Sequence, residues 1–132
     1  MTAPRALTLL AQRFAIVRFA PDAPLPAWVF HQDATLWSLT RTPAELSLVC
    51  PEDDLPPAIE RDVQRGYRAF ALAGPVPFGE TGVIAALLAP LAEARVPVFV
   101  LSTYDTDLVL VPGGSLATAR AVLAARGELR EA

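Results

Sequence analysis

The stretch Val96-Pro-Val-Phe-Val-Leu-Ser-Thr-Tyr-Asp-Thr-Asp-Leu-Val-Leu-Val111 decides the fold class of this chain. It begins with a short, valine-rich apolar run, which is typical of a strand buried on both faces. Residues 102–107 are polar, and a second apolar run at 108–111 ends at Pro112. The stretch therefore predicts two strands joined by a polar corner. Hydroxyl and carboxylate groups at such a sheet edge are a common setting for a small-molecule site.

A loop rich in glycine and proline precedes this stretch. Residues 74–82 read Gly-Pro-Val-Pro-Phe-Gly-Glu-Thr-Gly, and the apolar residues 83–94 that follow predict a helix with Thr81 as its N-cap. Residues 67–73 predict a strand before the loop. Strand, loop, helix and strand form a βαβ unit, whose crossover makes the two strands run in the same direction.

The remaining segments predict the same order of elements in each half of the chain. The further predicted elements are strands at 7–10, 14–19, 36–42 and 45–50, helices at 58–65 and 116–126, and an edge strand at 128–130. Together they predict an α+β fold of two tandem ferredoxin-like βαββαβ units, with antiparallel sheets and helices on one face. The two units are predicted at 1–65, where the first helix is degenerate, and at 66–132. The strand at 7–10 completes either the first unit or the second.

Composition and charge exclude several classes of function. The chain has 132 residues, a net charge of −3 and eleven basic residues, all of them arginine. Without lysine there is no Schiff-base lysine and no P-loop lysine, and scattered arginines do not predict nucleic-acid binding. No run of about 18 apolar residues predicts a membrane span. A single cysteine and the absence of a signal-peptide pattern predict a cytoplasmic protein.

Three segments carry a resemblance to a known family. They are Thr40-Arg-Thr-Pro-Ala-Glu-Leu-Ser-Leu-Val-Cys50, Phe78-Gly-Glu-Thr-Gly-Val83 and Leu101-Ser-Thr-Tyr-Asp-Thr-Asp107. The chain resembles the small bacterial tandem ACT-domain proteins, which are similar to each half of the CASTOR-type arginine sensors. The resemblance spans nearly the whole chain. It implies a non-catalytic regulatory protein without a cofactor, which binds an amino acid effector at an interface between ACT units. It also implies a regulated protein partner. The mostly apolar composition and the exposed edges or faces of two predicted sheets indicate a homodimer.

The resemblance assigns ligand contacts to Glu80, Gly82 and Asp107, and the chemistry of the two segments agrees with it. The N-terminus of a helix offers free N–H groups to a carboxylate. Carboxylates form charge-assisted hydrogen bonds with an ammonium group. The predicted ligand-binding residues are Glu80, Thr81, Gly82, Val83, Thr103, Tyr104 and Asp107.

Each of these positions also has a purely structural interpretation. Glu80 stabilises the helix dipole without any ligand, Gly82 allows close packing, and Asp107 caps a turn. A ligand-independent protein-interaction module is therefore the alternative function. No catalytic constellation and no metal site is predicted, since His31 has no set of ligands at suitable spacing and Cys50 ends an apolar strand.

Overall fold

The computed structural model describes residues 5–31, 33 and 35–132, and these divide into two compact units. One unit, here the N-terminal unit, is Gln12–Tyr67. The other, here the C-terminal unit, combines the chain up to Ala11 with Arg68–Ala132. The strand at 7–9, which the sequence could not assign, therefore belongs with the C-terminal unit.

The described residues form strands and helices in the order that the sequence predicts, with one exception given below. The strands are β1 (Leu7–Leu9), β2 (Phe14–Phe19), β3 (Ser38–Arg41), β4 (Leu46–Pro51), β5 (Val63–Leu72), β6 (Phe99–Ser102), β7 (Asp107–Pro112) and β8 (Leu129–Glu131), and the helices are α1 (Val83–Glu93) and α2 (Leu116–Arg126). The predicted α+β, ferredoxin-like class is confirmed. β6 begins later than predicted, after Pro97, which has no N–H to donate to a strand ladder.

The predicted helix at 58–65 is wrong. Turns and bends occupy the residues after Pro56, and Asp62 has a positive φ of 54°. From Val63 onward the chain is in β5, which pairs antiparallel with β2 through Val17 and Val63. The left-handed conformation of Asp62 cannot continue a helix. The pairing with β2 gives the following backbone groups partners in a sheet.

The N-terminal unit has the βαββαβ order with both helices reduced to 3₁₀ turns. These turns are Ala27–Val29 and Glu52–Asp54. Its strands lie in the order β3–β4–β2–β5, and each neighbouring pair is antiparallel. Val29 of the first turn and Leu55, which follows the second turn, are part of the core of this unit. The buried core consists of Ala15, Val17, Val29, Leu48, Cys50 and Leu55.

The C-terminal unit has two full helices on one face of its sheet. β7 pairs with β6 and with β5, β5 pairs antiparallel with β1, and β1 pairs parallel with β8. β1 therefore lies between the first and the last strand of this βαββαβ unit. The core between helices and sheet consists of Leu7, Leu9, Phe70, Leu72, Leu87, Leu91, Val96, Val109, Val111, Ala119 and Leu123.

The start of α1 differs from the prediction. The N-cap is Gly82 and not Thr81, and Gly82 has no side chain that could make a capping hydrogen bond. Gly82 has φ 79° and ψ 0°, a left-handed conformation that glycine adopts without steric cost. This conformation turns the chain from the loop into the helix, so that Thr81 stays outside it.

Candidate functional site

The polar corner, residues 102–107, is a tight turn between β6 and β7. Ser102 and Asp107 form its last strand pair. The N–H of Thr103 donates to the carbonyl of Thr106 at 2.8 Å, and the N–H of Thr106 donates to Oγ1 of Thr103 at 3.2 Å. The Thr103 hydroxyl is thus engaged inside the turn, where it stabilises the backbone that carries Tyr104.

The corner is hydrogen-bonded to the Gly/Pro loop, residues 74–82. The hydroxyl of Thr106 donates to the carbonyl of Leu72 at 2.7 Å, and the N–H of Val76 donates to the carbonyl of Asp105 at 2.6 Å. Gly74 allows this approach, because a Cβ there would lie 2.8 Å from the Asp105 carbonyl oxygen. Loop and corner therefore form one continuous surface.

Two exposed aromatic rings stand on this surface. Phe78 of the loop and Tyr104 of the corner have ring centroids 4.9 Å apart, and they are 78% and 82% exposed. Two clefts flank the pair. The smaller cleft, of about 180 Å³, is lined by Val76, Pro77, Phe78, Thr103, Tyr104, Thr106 and Asp107. The larger cleft, of about 370 Å³, is lined by Pro75, Val76, Pro77, Phe78, Tyr104 and Asp105.

Three of the predicted site residues, Thr103, Tyr104 and Asp107, meet in the smaller cleft. Asp107 is partly buried, and its Oδ1 accepts a hydrogen bond of 2.6 Å from the hydroxyl of Ser102. This bond orients the carboxylate and occupies one of its oxygens. The arrangement presents one oriented negative charge beside an aromatic ring.

The other four predicted residues, Glu80, Thr81, Gly82 and Val83, lie together at the start of α1 and line neither of these two clefts. No acidic residue lies in the first turn of α1. The positive end of the helix dipole is therefore not compensated from within that turn. The structure thus divides the predicted residues into a corner group and a helix-start group.

Arg5 contacts the helix-start group, and sequence reasoning missed it. Its Nη2 lies 2.9 Å from Oε2 of Glu80, and its Nη1 donates to the carbonyl of Pro75 at 3.4 Å. The two side chains of the ion pair are 27% and 21% exposed. Only the pairing of β1 with β5 brings these residues together, and no local signal in the sequence indicates that pairing.

The surroundings of His31 and Cys50, two residues of the N-terminal unit, agree with structural roles. His31 Nε2 lies 2.7 Å from Oδ2 of Asp54. Burial, and secondarily the negative charge of Asp54, raises the pKa of the Cys50 thiol to about 11, so the thiol stays protonated and unreactive at neutral pH. Within the described part of the chain, no three His, Cys, Asp or Glu side chains are grouped as metal ligands. None of its helices is long and apolar enough to cross a membrane.

Comparison with known proteins matches each part of the chain to a family model. Residues 62–125 match the family model of the ACT domain, and residues 12–58 match a model described as an N-terminal domain. The first of these matches identifies an ACT domain at residues 62–125, which is just under half of the chain. The ACT match covers β5 through α2, and therefore both the Gly/Pro loop and the corner.

Solved structures share this fold over most of the chain. The protein Atu0741 from Agobacterium tumefaciens is 32% identical, with a TM-score of 0.87 over 99% of this chain and 96% of the other. The regulatory subunit of aspartate kinase from Thermus thermophilus has a TM-score of 0.61 over 89% of this chain and 93% of the other. At 13% identity, that likeness concerns the fold alone.

A human relative matches part of the chain. The protein CASTOR3P from Homo sapiens is 32% identical over an aligned length of 88 residues, and the alignment covers 57% of this chain. The match spans 53% of the human protein, so this chain covers about half the length of that relative. The predicted resemblance to ACT-domain proteins of this kind is confirmed.

Proposed function

We propose that this ACT-domain protein is a non-catalytic regulator that binds an amino acid at the surface formed by the corner and the Gly/Pro loop. ACT domains bind small-molecule effectors, and this chain matches an ACT domain across both segments. The observation that carries the proposal is the cleft in which Asp107, Thr103 and Tyr104 meet. Its carboxylate is oriented by Ser102 before any ligand arrives.

The chemistry of the two residue groups suits the two ends of a free amino acid. The Asp107 carboxylate accepts charge-assisted hydrogen bonds from an ammonium group. The N-terminus of α1 supplies N–H groups and a positive dipole end for a carboxylate. Gly82 at the N-cap carries no side chain that would obstruct the approach. In this proposal Thr103 shapes the cleft, because its hydroxyl is already engaged by Thr106.

We further propose that the protein acts as a homodimer, with the ligand held between ACT units of two copies. A cleft of about 180 Å³ is small and open, whereas bound ligands of moderate size are mostly buried. Phe78 and Tyr104 are both about four-fifths exposed, and clustered exposed aromatic rings are typical of interaction surfaces. A second copy that covered these rings would also enclose the ligand. The lone Cys50 leaves no internal disulfide, which agrees with a cytoplasmic setting.

A thermal-shift screen against the twenty amino acids tests the proposal. Ligand at one hundred times its Kd stabilises a protein by about 2.7 kcal/mol, a clearly measurable shift. One or two amino acids are expected to raise Tm for the wild type but not for Asp107→Asn, which keeps the size of the side chain and removes its charge. Asp53→Asn, an exposed acid of the N-terminal unit, is the matched control and should keep the response. A wild type without any response contradicts the proposal.

The exposed aromatic pair also favours a second candidate function, a ligand-independent protein-interaction module. Here Phe78 and Tyr104 contact a protein partner directly, and the charge of Asp107 is irrelevant to binding. The two candidates differ in one experiment. The module is favoured if the double variant Phe78→Ser/Tyr104→Ser no longer binds a protein partner while Asp107→Asn still does. In that case no amino acid should raise the Tm of the wild type.

A further inference from the structure

The register of β1 fixes the position of Arg5. β1 and β5 pair Leu7 with Leu72, and the N–H of Ala73 continues the ladder by donating to the carbonyl of Ala6 at 2.9 Å. Arg5, the next residue outward, therefore lies beside the beginning of the Gly/Pro loop. From there its guanidinium reaches Glu80, which follows 75 positions later in the chain.

Arg5 already occupies the carboxylate that a cationic ligand would need. The ion pair with Glu80 is 2.9 Å long and partly buried. The same guanidinium donates to the carbonyl of Pro75, a residue that lines the larger cleft. Separating a partly buried pair is costly, because each charge is then left without its partner. Moreover, the Nε of Arg5 is buried and has no hydrogen-bond partner among the described residues.

We propose that Arg5 acts as an internal cation that determines which ligands the site accepts. The inference rests on the proposed function. Asp107 remains available for the ammonium group of an amino acid, whereas the negative charge of Glu80 is neutralised by Arg5. Asp105 also lines the larger cleft, but it is exposed, so water weakens its attraction for a ligand cation. The ligand is therefore an amino acid with an uncharged side chain, and arginine and lysine are rejected.

Calorimetric titration of the full chain tests this assignment. The ligands are arginine, lysine and the uncharged amino acid that stabilises the wild type most. The wild type is expected to bind the uncharged amino acid at least tenfold more tightly than either basic one. Arg5→Gln, which frees the Glu80 carboxylate, should shift this ratio at least tenfold toward arginine or lysine. The double variant Arg5→Gln/Glu80→Gln should lose that gain.

Two controls separate charge from folding. Arg5→Lys keeps a cation beside Glu80 and should retain the wild-type preference, while circular dichroism verifies that each variant is folded. Arg130→Gln removes an exposed arginine that pairs with Glu128 at 2.7 Å in the same unit, and it should change nothing. Tight binding of arginine or lysine by the wild type, or an unchanged ratio in folded Arg5→Gln, overturns the role of Arg5 but leaves amino acid binding intact. No binding by any of the proteins overturns the proposed function, and the role of Arg5 with it.

Discussion

Gly74 and Asp105 approach each other so closely that no side chain fits between them. A Cβ on Gly74 would lie 2.8 Å from the carbonyl oxygen of Asp105 and 3.1 Å from Cβ of Thr106. The same carbonyl accepts the hydrogen bond from the Val76 N–H. One glycine therefore allows the corner and the Gly/Pro loop to share a surface.

Gly74→Ala is expected to lower the free energy of unfolding by about 1–3 kcal/mol, because the new methyl group forces backbone atoms apart. Urea denaturation measures the effect. Gly79→Ala in the same loop is the control, since nothing lies within 4 Å of a Cβ there. Equal stability of the two variants would contradict the close approach. If the proposed function is correct, Gly74→Ala should also weaken the amino acid response, because the corner moves.

The left-handed conformation of Gly82 supports a second prediction. A residue with a Cβ in this conformation costs roughly 1–2 kcal/mol, so Gly82→Ala should lower the free energy of unfolding by about that amount. Gly82→Asn should cost less, because asparagine tolerates the left-handed region. Gly114→Ala is the comparison, as its surroundings are open and its φ is not positive. We expect the lowest urea midpoint for Gly82→Ala, a higher one for Gly82→Asn and the highest for the wild type. Equal midpoints for Ala and Asn would argue against a left-handed N-cap.

The corner and the start of α1 could be predicted from the sequence, because the sequence patterns that indicate them are local. A polar run between two apolar runs predicted the corner at 102–107, and the apolar segment after the Gly/Pro loop predicted α1. The start of the helix at Val83 was predicted correctly, but its N-cap was placed one residue early, at Thr81, because a residue with a capping hydroxyl lay next to a glycine. Only the backbone conformation of Gly82 distinguishes the two positions.

The end of the segment 58–65 and the position of Arg5 depend on contacts between residues that are distant in the sequence. A single sequence does not reveal such contacts. The segment 58–65 contains Ile59 and Val63 at helical spacing, yet pairing with β2 makes its end a strand. Arg5 lies 75 positions from Glu80, and the ion pair exists only because β1 pairs with β5. In the first case strand pairing overrides the local helical propensity, as is usual for β-structure. In the second case strand pairing brings together two residues that are distant in the sequence.

The exposed aromatic pair supports a third prediction, which concerns assembly. The double variant Phe78→Ser/Tyr104→Ser should be monomeric under conditions in which the wild type is a dimer, as measured by light scattering on a sizing column. Both side chains are largely exposed, so the free energy of unfolding of the monomer should change by no more than about 0.5 kcal/mol. Leu25→Ser, which removes an exposed apolar residue elsewhere, should leave the dimer intact. A monomeric wild type would contradict the homodimer.

Cys50 supports a fourth prediction, which concerns stability at high pH. Burial raises the pKa of this thiol from 9.0 to about 11 in the folded chain. Between these values the unfolded chain loses the thiol proton while the folded chain retains it. Because the folded state then binds more protons, its stability falls as the pH rises. The loss begins near pH 9, is complete above pH 11, and amounts to about 3 kcal/mol in full.

Urea denaturation at pH 7 and pH 10.5 measures this loss, and Cys50→Ala isolates it from other groups that titrate in the same range. The drop in the free energy of unfolding between the two pH values should be larger for the wild type than for Cys50→Ala by about 1–2 kcal/mol. The alanine variant itself is less stable at pH 7, since it leaves a small cavity beside Leu48 and Val29 in the same buried core. An identical drop in both proteins would mean that the thiol of Cys50 ionises as readily in the folded chain as in the unfolded one.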